Sequence, residues 1–161
     1  DIDLAAGGYS FFGKIDNQED SDIASTFSAG DGLLGIAYNC IIENAKGGTA
    51  SDTIEGNSAA NTLYGGTGAG VKDTLKGEGG ADIFVCQIGD ASTSLSSTDI
   101  ILDFVDGTDK IGLKDVAASD LSWSTISGGD YDGDTKIIQT STNKILVILD
   151  EVDSSKISTD D

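Results

Sequence analysis

Between Gly47 and Val85 an acid or an amide returns at one place in every short unit of the chain. The units read GGTASDTIE (47–55), GNSAANTLY (56–64), GGTGAGVKDTLK (65–76) and GEGGADIFV (77–85). Each opens on glycine. Asp52, Asn61, Asp73 and Asp82 stand at the sixth consensus place, and Ile54, Leu63, Leu75 and Phe84 follow two residues later. Three units have nine residues; the third has twelve, with three extra residues between its glycines and its Asp. Recurrent carboxylate and amide oxygens, with backbone carbonyls between them, make an oxygen-only cage. Such a cage of six to eight ligands suits Ca2+, whereas magnesium keeps its water and fits a carbonyl-rich cage poorly.

The elements that must position these oxygens follow from the period. A strand sends alternate side chains to opposite faces, so one large apolar residue flanked by polar ones points inward. The glycines permit positive φ and close backbone packing, so the half-unit before each strand is a tight turn. One unit makes one turn and one strand, and two units complete a coil of parallel strands in two facing sheets. Alternate units then share a side: Asp52 and Asp73 stack on one, Asn61 and Asp82 on the other. The resulting core holds one Ile, Leu or Phe per strand, too little apolar area to hold alone. The turns must contribute, and the turns carry the acids.

Composition agrees. The 161 residues include 28 Asp plus Glu against nine lysines and no arginine, a net charge of -19. Histidine, proline and methionine are absent, which removes Ser-His-Asp and Cys-His machinery and His-ligated zinc from this chain. Such a charge repels nucleic acid and anionic membrane, and no apolar run is long enough to span a bilayer. Twenty-two glycines and many aspartates favour tight turns between short strands. The self-repulsion calls for a bound divalent cation. Without an initiator Met, the chain reads as a piece of a longer polypeptide. Cys40 and Cys86 are too few for a disulfide scaffold; they pair if the fold brings them together, and otherwise are two buried thiols.

Outside the repeats, residues 1–15 alternate as two short strands around Gly7 and Gly8, 16–32 form an acidic surface loop, and 33–46 return to strand character. Beyond them, 98–105 and 110–113 read as strands around Asp106-Gly107, followed by strands at 121–126, 135–140 and 144–149, all joined as antiparallel hairpins. GGDYDGD (128–134) is a hairpin turn and not an EF-hand, since Thr135 and Ser141 stand where that loop needs Gly and Glu. Trp123, the only tryptophan, belongs to the core.

The repeat is the nonapeptide G-G-x-G-x-D-x-U-x of calcium-binding RTX parallel β-helices. With IAYNCIIENAKGG (36–48), GGADIFV (79–85) and TDIILDFVDGTDKIGL (98–113), nearly the whole chain resembles the C-terminal domain of serralysin-type secreted bacterial metalloproteases. That resemblance implies an all-β fold, a parallel β-roll of nonapeptide repeats capped by an antiparallel β-sandwich. It divides the chain into leading strands and acidic loop (1–46), repeats (47–90) and an antiparallel capping region with secretion-tail character (91–161). It implies side-chain calcium ligands at Asp52, Asn61, Asp73 and Asp82. Backbone oxygens would come from Gly48, Ala50, Asn57, Ala59, Gly66, Gly68, Glu78 and Gly80, and further acids from Glu43, Asp90, Asp99 and Asp109. Several ions are expected, fewer than in a long array. Ala50 and Ala59 replace glycine, Asn61 lacks a charge and weakens the site shared with Asp82, and the insertion near 69–71 bulges the third loop. The zinc-protease motif HExxH is absent.

Three functions remain open on this reading. The first is a non-catalytic module that folds on calcium after type I secretion and stabilises a larger extracellular protein. Its partners would be calcium, the secretion machinery and an upstream domain. The second is a calcium-dependent module that binds anionic polysaccharide or neighbouring copies of itself. The third is the tail of a secreted hydrolase, with a metalloprotease as the leading case.

Overall fold

The computed structural model describes the backbone of Ile2–Asp3, Tyr9–Lys14 and Asp31–Gly35, and residues 41–68 and 70–158 in full. The fold is all-β. Short strands follow one another along the repeats: β1 (Ile2–Asp3), β2 (Tyr9–Lys14), β3 (Asp31–Gly35), β4 (Asn44–Lys46), β5 (Thr53–Asn57), β6 (Thr62–Tyr64), β7 (Thr74–Glu78) and β8 (Ile83–Gln87). After them come β9 (Ile100–Ile101), β10 (Lys110–Lys114), β11 (Leu121–Thr125), β12 (Thr135–Gln139) and β13 (Lys144–Leu149). The backbone of β1 and β2 agrees with the two strands expected in 1–15. The antiparallel β2–β3 hairpin brackets the acidic loop, most of which lies outside the described residues.

Successive repeat strands alternate between two sheets. The short sheet has the order β10-β8-β6-β4, and the long sheet β1-β5-β7-β9-β13-β12-β11. Each repeat strand pairs in parallel with the strand two units away, as β5 with β7 and β6 with β8. The register lines up the apolar residues. Ala45, Leu63, Phe84 and Ile111 lie opposite one another in the short sheet, and Ile54, Leu75, Ile101 and Leu149 in the long one. Ile54, Leu63, Phe84 and Ile101 have no exposed surface. The period-two burial of Thr53–Asn57 is the expected consequence of a strand with one wet face.

One expectation is corrected. The segments 98–105 and 110–113 do not form an antiparallel hairpin. β9 joins the long sheet parallel to β7, and β10 joins the short sheet parallel to β8. The roll thus gains a further coil beyond the last recognisable repeat. The reason lies in the acids beside these strands: Asp99, Asp103 and Asp109 accept main-chain N–H groups of the coil below. These bonds hold the segment directly over that coil, where only parallel pairing is possible, and shorten the strand at 98–105 to Ile100–Ile101.

The capping strands are antiparallel, β11 with β12 and β12 with β13. They are continuous with the roll, because β13 pairs in parallel with β9. GGDYDGD connects β11 to β12, and Trp123 packs half-buried against the main core. Cys86 is a buried free thiol; its pairing with Cys40 lies outside the described residues. Among the described residues no helix is long and apolar enough to cross a membrane.

Candidate metal centre

The two sides of the roll carry two ladders of turn side chains. On one side, Asp73 Oδ1 accepts the N–H of Asp52 at 2.8 Å, and Asp99 Oδ1 accepts the N–H of Asp73 at 2.8 Å. On the other, Asp82 Oδ1 accepts the N–H of Asn61 at 2.7 Å, and Asp109 Oδ1 accepts the N–H of Asp82 at 2.9 Å. Each carboxylate therefore rests on the backbone of the acid or amide one coil below. Alternate units share a side because each unit contributes a single strand and the chain crosses the roll once per unit.

Within a unit the carboxylate or amide closes its own turn. Asp52 Oδ2 accepts the N–H of Gly48 at 2.6 Å, and Asn61 Oδ1 accepts that of Asn57 at 2.8 Å. The opening glycine presses directly on this group. A Cβ at Gly77 would lie 2.2 Å from Asp82 Oδ2, and one at Gly65 2.3 Å from Asp73 Oδ2. A methyl cannot occupy that space, so each unit must begin on glycine.

The carbonyl places stack in the same way. Gly48 lies under Gly66: the Gly48 carbonyl accepts the N–H of Thr67 at 2.9 Å, and a Cβ on Gly66 would meet that oxygen at 2.1 Å. Ala59 lies under Gly80, whose Cβ would meet the Ala59 carbonyl at 2.7 Å. The Asn57 carbonyl accepts the N–H of Gly79, and the Gly68 carbonyl that of Val71. Ala50 is exposed on its turn. Glu78 holds a positive φ of 70° at the place where Gly66 does so in the preceding unit, and its carboxylate pairs with Lys76.

Glu43 does not join the ladders. Its main-chain oxygen accepts the N–H of Thr62, and the residue is exposed. Asp90 reaches the third loop: its Oδ1 accepts the N–H of Gly68 at 3.1 Å, and its Oδ2 accepts from the Tyr64 hydroxyl at 3.3 Å. The twelve-residue unit keeps its strand in register, Thr53 opposite Thr74. The extra residues are taken up before Asp73, in the turn that the Gly68–Val71 bond closes. Next to them, Lys72 donates to the Tyr131 hydroxyl at 3.0 Å and ties the loop to the cap.

Two features were not legible from the repeat. Asp103 grips the fourth unit's turn with both oxygens, accepting the N–H groups of Gly77 and Glu78 at 2.8 Å each. The signal for it is an offset: Asp103 stands 26 residues after Gly77, close to the 27 that separate Asp82 from Asp109. Asn61, besides accepting from Asn57, donates through Nδ2 to the Ile42 carbonyl at 3.1 Å, a bond that carboxylate cannot make. The amide at this position therefore closes the first coil of its side.

The electrostatics of these groups fit a hard divalent cation. Asp73 and Asp82 are buried, and burial raises both carboxyls above their ordinary value, aided by the charges of Asp52 and Asp90 for the first and of Asp109 and Asp103 for the second. Asp99 is pushed up to about 7 by burial first and then by the charges of Asp73 and Asp90. Lys76 forms ion pairs with Glu55 and Glu78, none of which is a ladder residue. The ladders thus place anionic oxygens close together in low dielectric with carbonyls beside them, the donor set of a calcium cage. Among the described residues no three acidic side chains converge on one point, so a cage here would have to draw most of its oxygens from the backbone.

No curated protein matches the sequence. The family model described as Peptidase M10 serralysin C terminal matches residues 5–156. That model is of the C-terminal part of serralysins and not of their catalytic domain, and it fits a calcium-binding module of RTX type. With nearly its entire length covered and with the coiled parallel strands and stacked turn acids that such a module requires, the chain belongs to the serralysin C-terminal family.

Proposed function

We propose that this chain is a calcium-dependent folding module of a secreted bacterial protein, exported unfolded by a type I system and closed by calcium outside the cell. Residues 1–46 would lead into the roll and 47–90 form its repeats; of 91–161, the strands at 100–101 and 110–114 add a last coil and the antiparallel strands from 121 to 149 cap it. The observation that supports the reading is the pair of ladders, Asp52-Asp73-Asp99 and Asn61-Asp82-Asp109, in which each upper carboxylate accepts the main-chain N–H of the acid or amide one coil below. The residues that would hold the ions are these, together with Asp90, Asp103 and the carbonyls of the turn places. When calcium is bound it supplies the positive charge that the ladders lack. Where calcium is scarce, the net charge of -19 favours an expanded chain. Binding free energy and folding free energy are then one quantity.

The family membership supports a place at the C-terminal end of a larger polypeptide, whose catalytic part would be a metalloprotease or another hydrolase. The test is direct. Circular dichroism in EGTA is expected to show a disordered chain, and calcium in the range of about 10⁻⁴ to 10⁻³ M typical of extracellular modules to restore β structure. A chain equally folded in chelator and in calcium would exclude the proposal.

A further inference from the structure

The long sheet ends on β11, which among the described residues pairs with β12 alone. The direction of its main-chain groups follows from the bonds at either end. The Asp120 carbonyl accepts the N–H of Thr140 at 2.8 Å, and Ile126 donates its N–H to the Asp134 carbonyl at 2.7 Å. Between these ends the register runs without a shift, Ser122 opposite Ile138 and Ser124 opposite Lys136. Antiparallel pairing turns alternate residues toward and away from the partner strand. Leu121, Trp123 and Thr125 therefore direct their N–H and C=O groups off the sheet. The Leu121 N–H turns back to the Ala118 carbonyl. The Leu121 carbonyl and both main-chain groups of Trp123 and of Thr125 have no protein partner among the described residues.

An open edge is a template for another chain, and proteins blunt such edges with short strands, lysine, proline or a bulge. The other described sheet ends of the roll follow this rule. β1 has two residues, β4 has three and ends on Lys46, and β10 begins and ends on lysine. β11 has five residues, Leu-Ser-Trp-Ser-Thr, with neither a charge nor a bulge against β12. We propose that β11 takes up an extended basic segment of a partner protein as an added antiparallel strand. Charge selects the partner. Asp120 stands just before β11 and the exposed Asp130 a few residues after it. The net charge of -19 opposes a second copy of the chain and favours a segment flanked by lysine or arginine. The residue opposite Trp123 exchanges two main-chain bonds with it. Alternate side chains of the segment extend the face of Leu121 and Trp123, which packs on the core, so apolar residues suit every second place. None of the ladder acids lies on β11, so the site is separate from the calcium turns.

The test is main-chain amide exchange followed by NMR on the calcium-saturated protein. Without a ligand, the amides of Trp123 and Thr125 are expected to exchange faster than those of Ser122 and Ser124, which bond to β12. The probe is the capped peptide Lys-Val-Thr-Val-Thr-Val-Lys. At ten times its Kd it is expected to slow Trp123 and Thr125 about tenfold, with a Kd on the order of 10⁻⁴ M. Methylating the main-chain nitrogen of the central valine removes the donor to the Trp123 carbonyl and is expected to abolish binding. Methylating that of a neighbouring threonine, which faces away from β11, is expected to leave binding unchanged. Replacing both lysines of the peptide by glutamate is expected to abolish binding. Thr125→Pro, tolerated where the N–H faces off the sheet, is expected to weaken binding about fivefold or more, and its thermal melt reports whether it folds. Asp130→Asn is expected to weaken it about two- to fourfold. Amides of Trp123 and Thr125 as slow as their neighbours in the free protein, no protection by the peptide, or equal binding of the valine-methylated or glutamate-flanked peptide would overturn the proposal. Unaltered binding to a folded Thr125→Pro variant would do the same.

Discussion

Acid and calcium should act on this molecule in opposite directions, and Asp99 sets the size of the effect. Burial pushes its carboxyl up to about 7, whereas an unfolded aspartate titrates near 3.9. Between those values the folded chain holds a proton that the unfolded chain has released. In chelator, stability is therefore greatest at low pH and is lost as pH climbs through 7. From pH 5 to pH 8 the Asp99 contribution amounts to about 2–3 kcal/mol. Asp73 and Asp82 are raised for the same cause and add with the same sign. Asp120, held at about 2 by hydrogen bonds from Ser141 and Thr140, changes charge below this window and does not enter it. In calcium the sign reverses, because protons compete with the ion for the same oxygens. The assay is a urea or stabilising-osmolyte titration followed by circular dichroism, at pH 5 and pH 8, with EGTA and with calcium. Asp99→Asn is expected to flatten most of the slope in EGTA. If the chelated protein loses stability on acidification, or if Asp99→Asn leaves the slope intact, the account of the ladder electrostatics is wrong.

Further outcomes follow from the same geometry. Gly77→Ala places a Cβ 2.2 Å from Asp82 Oδ2 and 3.0 Å from the Phe84 ring; a loss of about 2 kcal/mol or more is expected in a calcium-saturated thermal melt. Asp103→Ala strips the acceptors from two N–H groups; it should cost about 1–3 kcal/mol and weaken calcium uptake in calorimetry, although Asp103 lies outside the repeat. Asn61→Asp removes the bond to the Ile42 carbonyl and sets two acceptors against each other. That variant is expected to be less stable in chelator and to bind calcium more tightly, so that the calcium dependence of its melting temperature steepens. Phe84→Ala, emptying the largest fully buried side chain among the described residues, should cost about 3–5 kcal/mol.

The roll itself was legible because its code is local. A glycine, an acid five residues on and an apolar residue two further on specify turn, ladder and core within one unit, and strands two units apart must then meet. The third unit shows how robust this is: three extra residues move into the turn and leave Thr74 opposite Thr53. The hairpins at β11, β12 and β13 were legible for a similar reason, since alternation and short loops are properties of neighbouring residues.

What the sequence by itself determined is the period, the alternation of sides and the oxygen chemistry of the turns, because each arises within about nine residues. Tertiary structure alone decided that 100–101 and 110–114 extend the roll, that Asp103 serves the turn below it, and that Asn61 closes the first coil on Ile42. It also decided that the long sheet overruns the short one and ends on the open edge of β11. Those features depend on which segments lie one coil apart in space, a relation that the irregular chain beyond the repeats no longer marks by spacing.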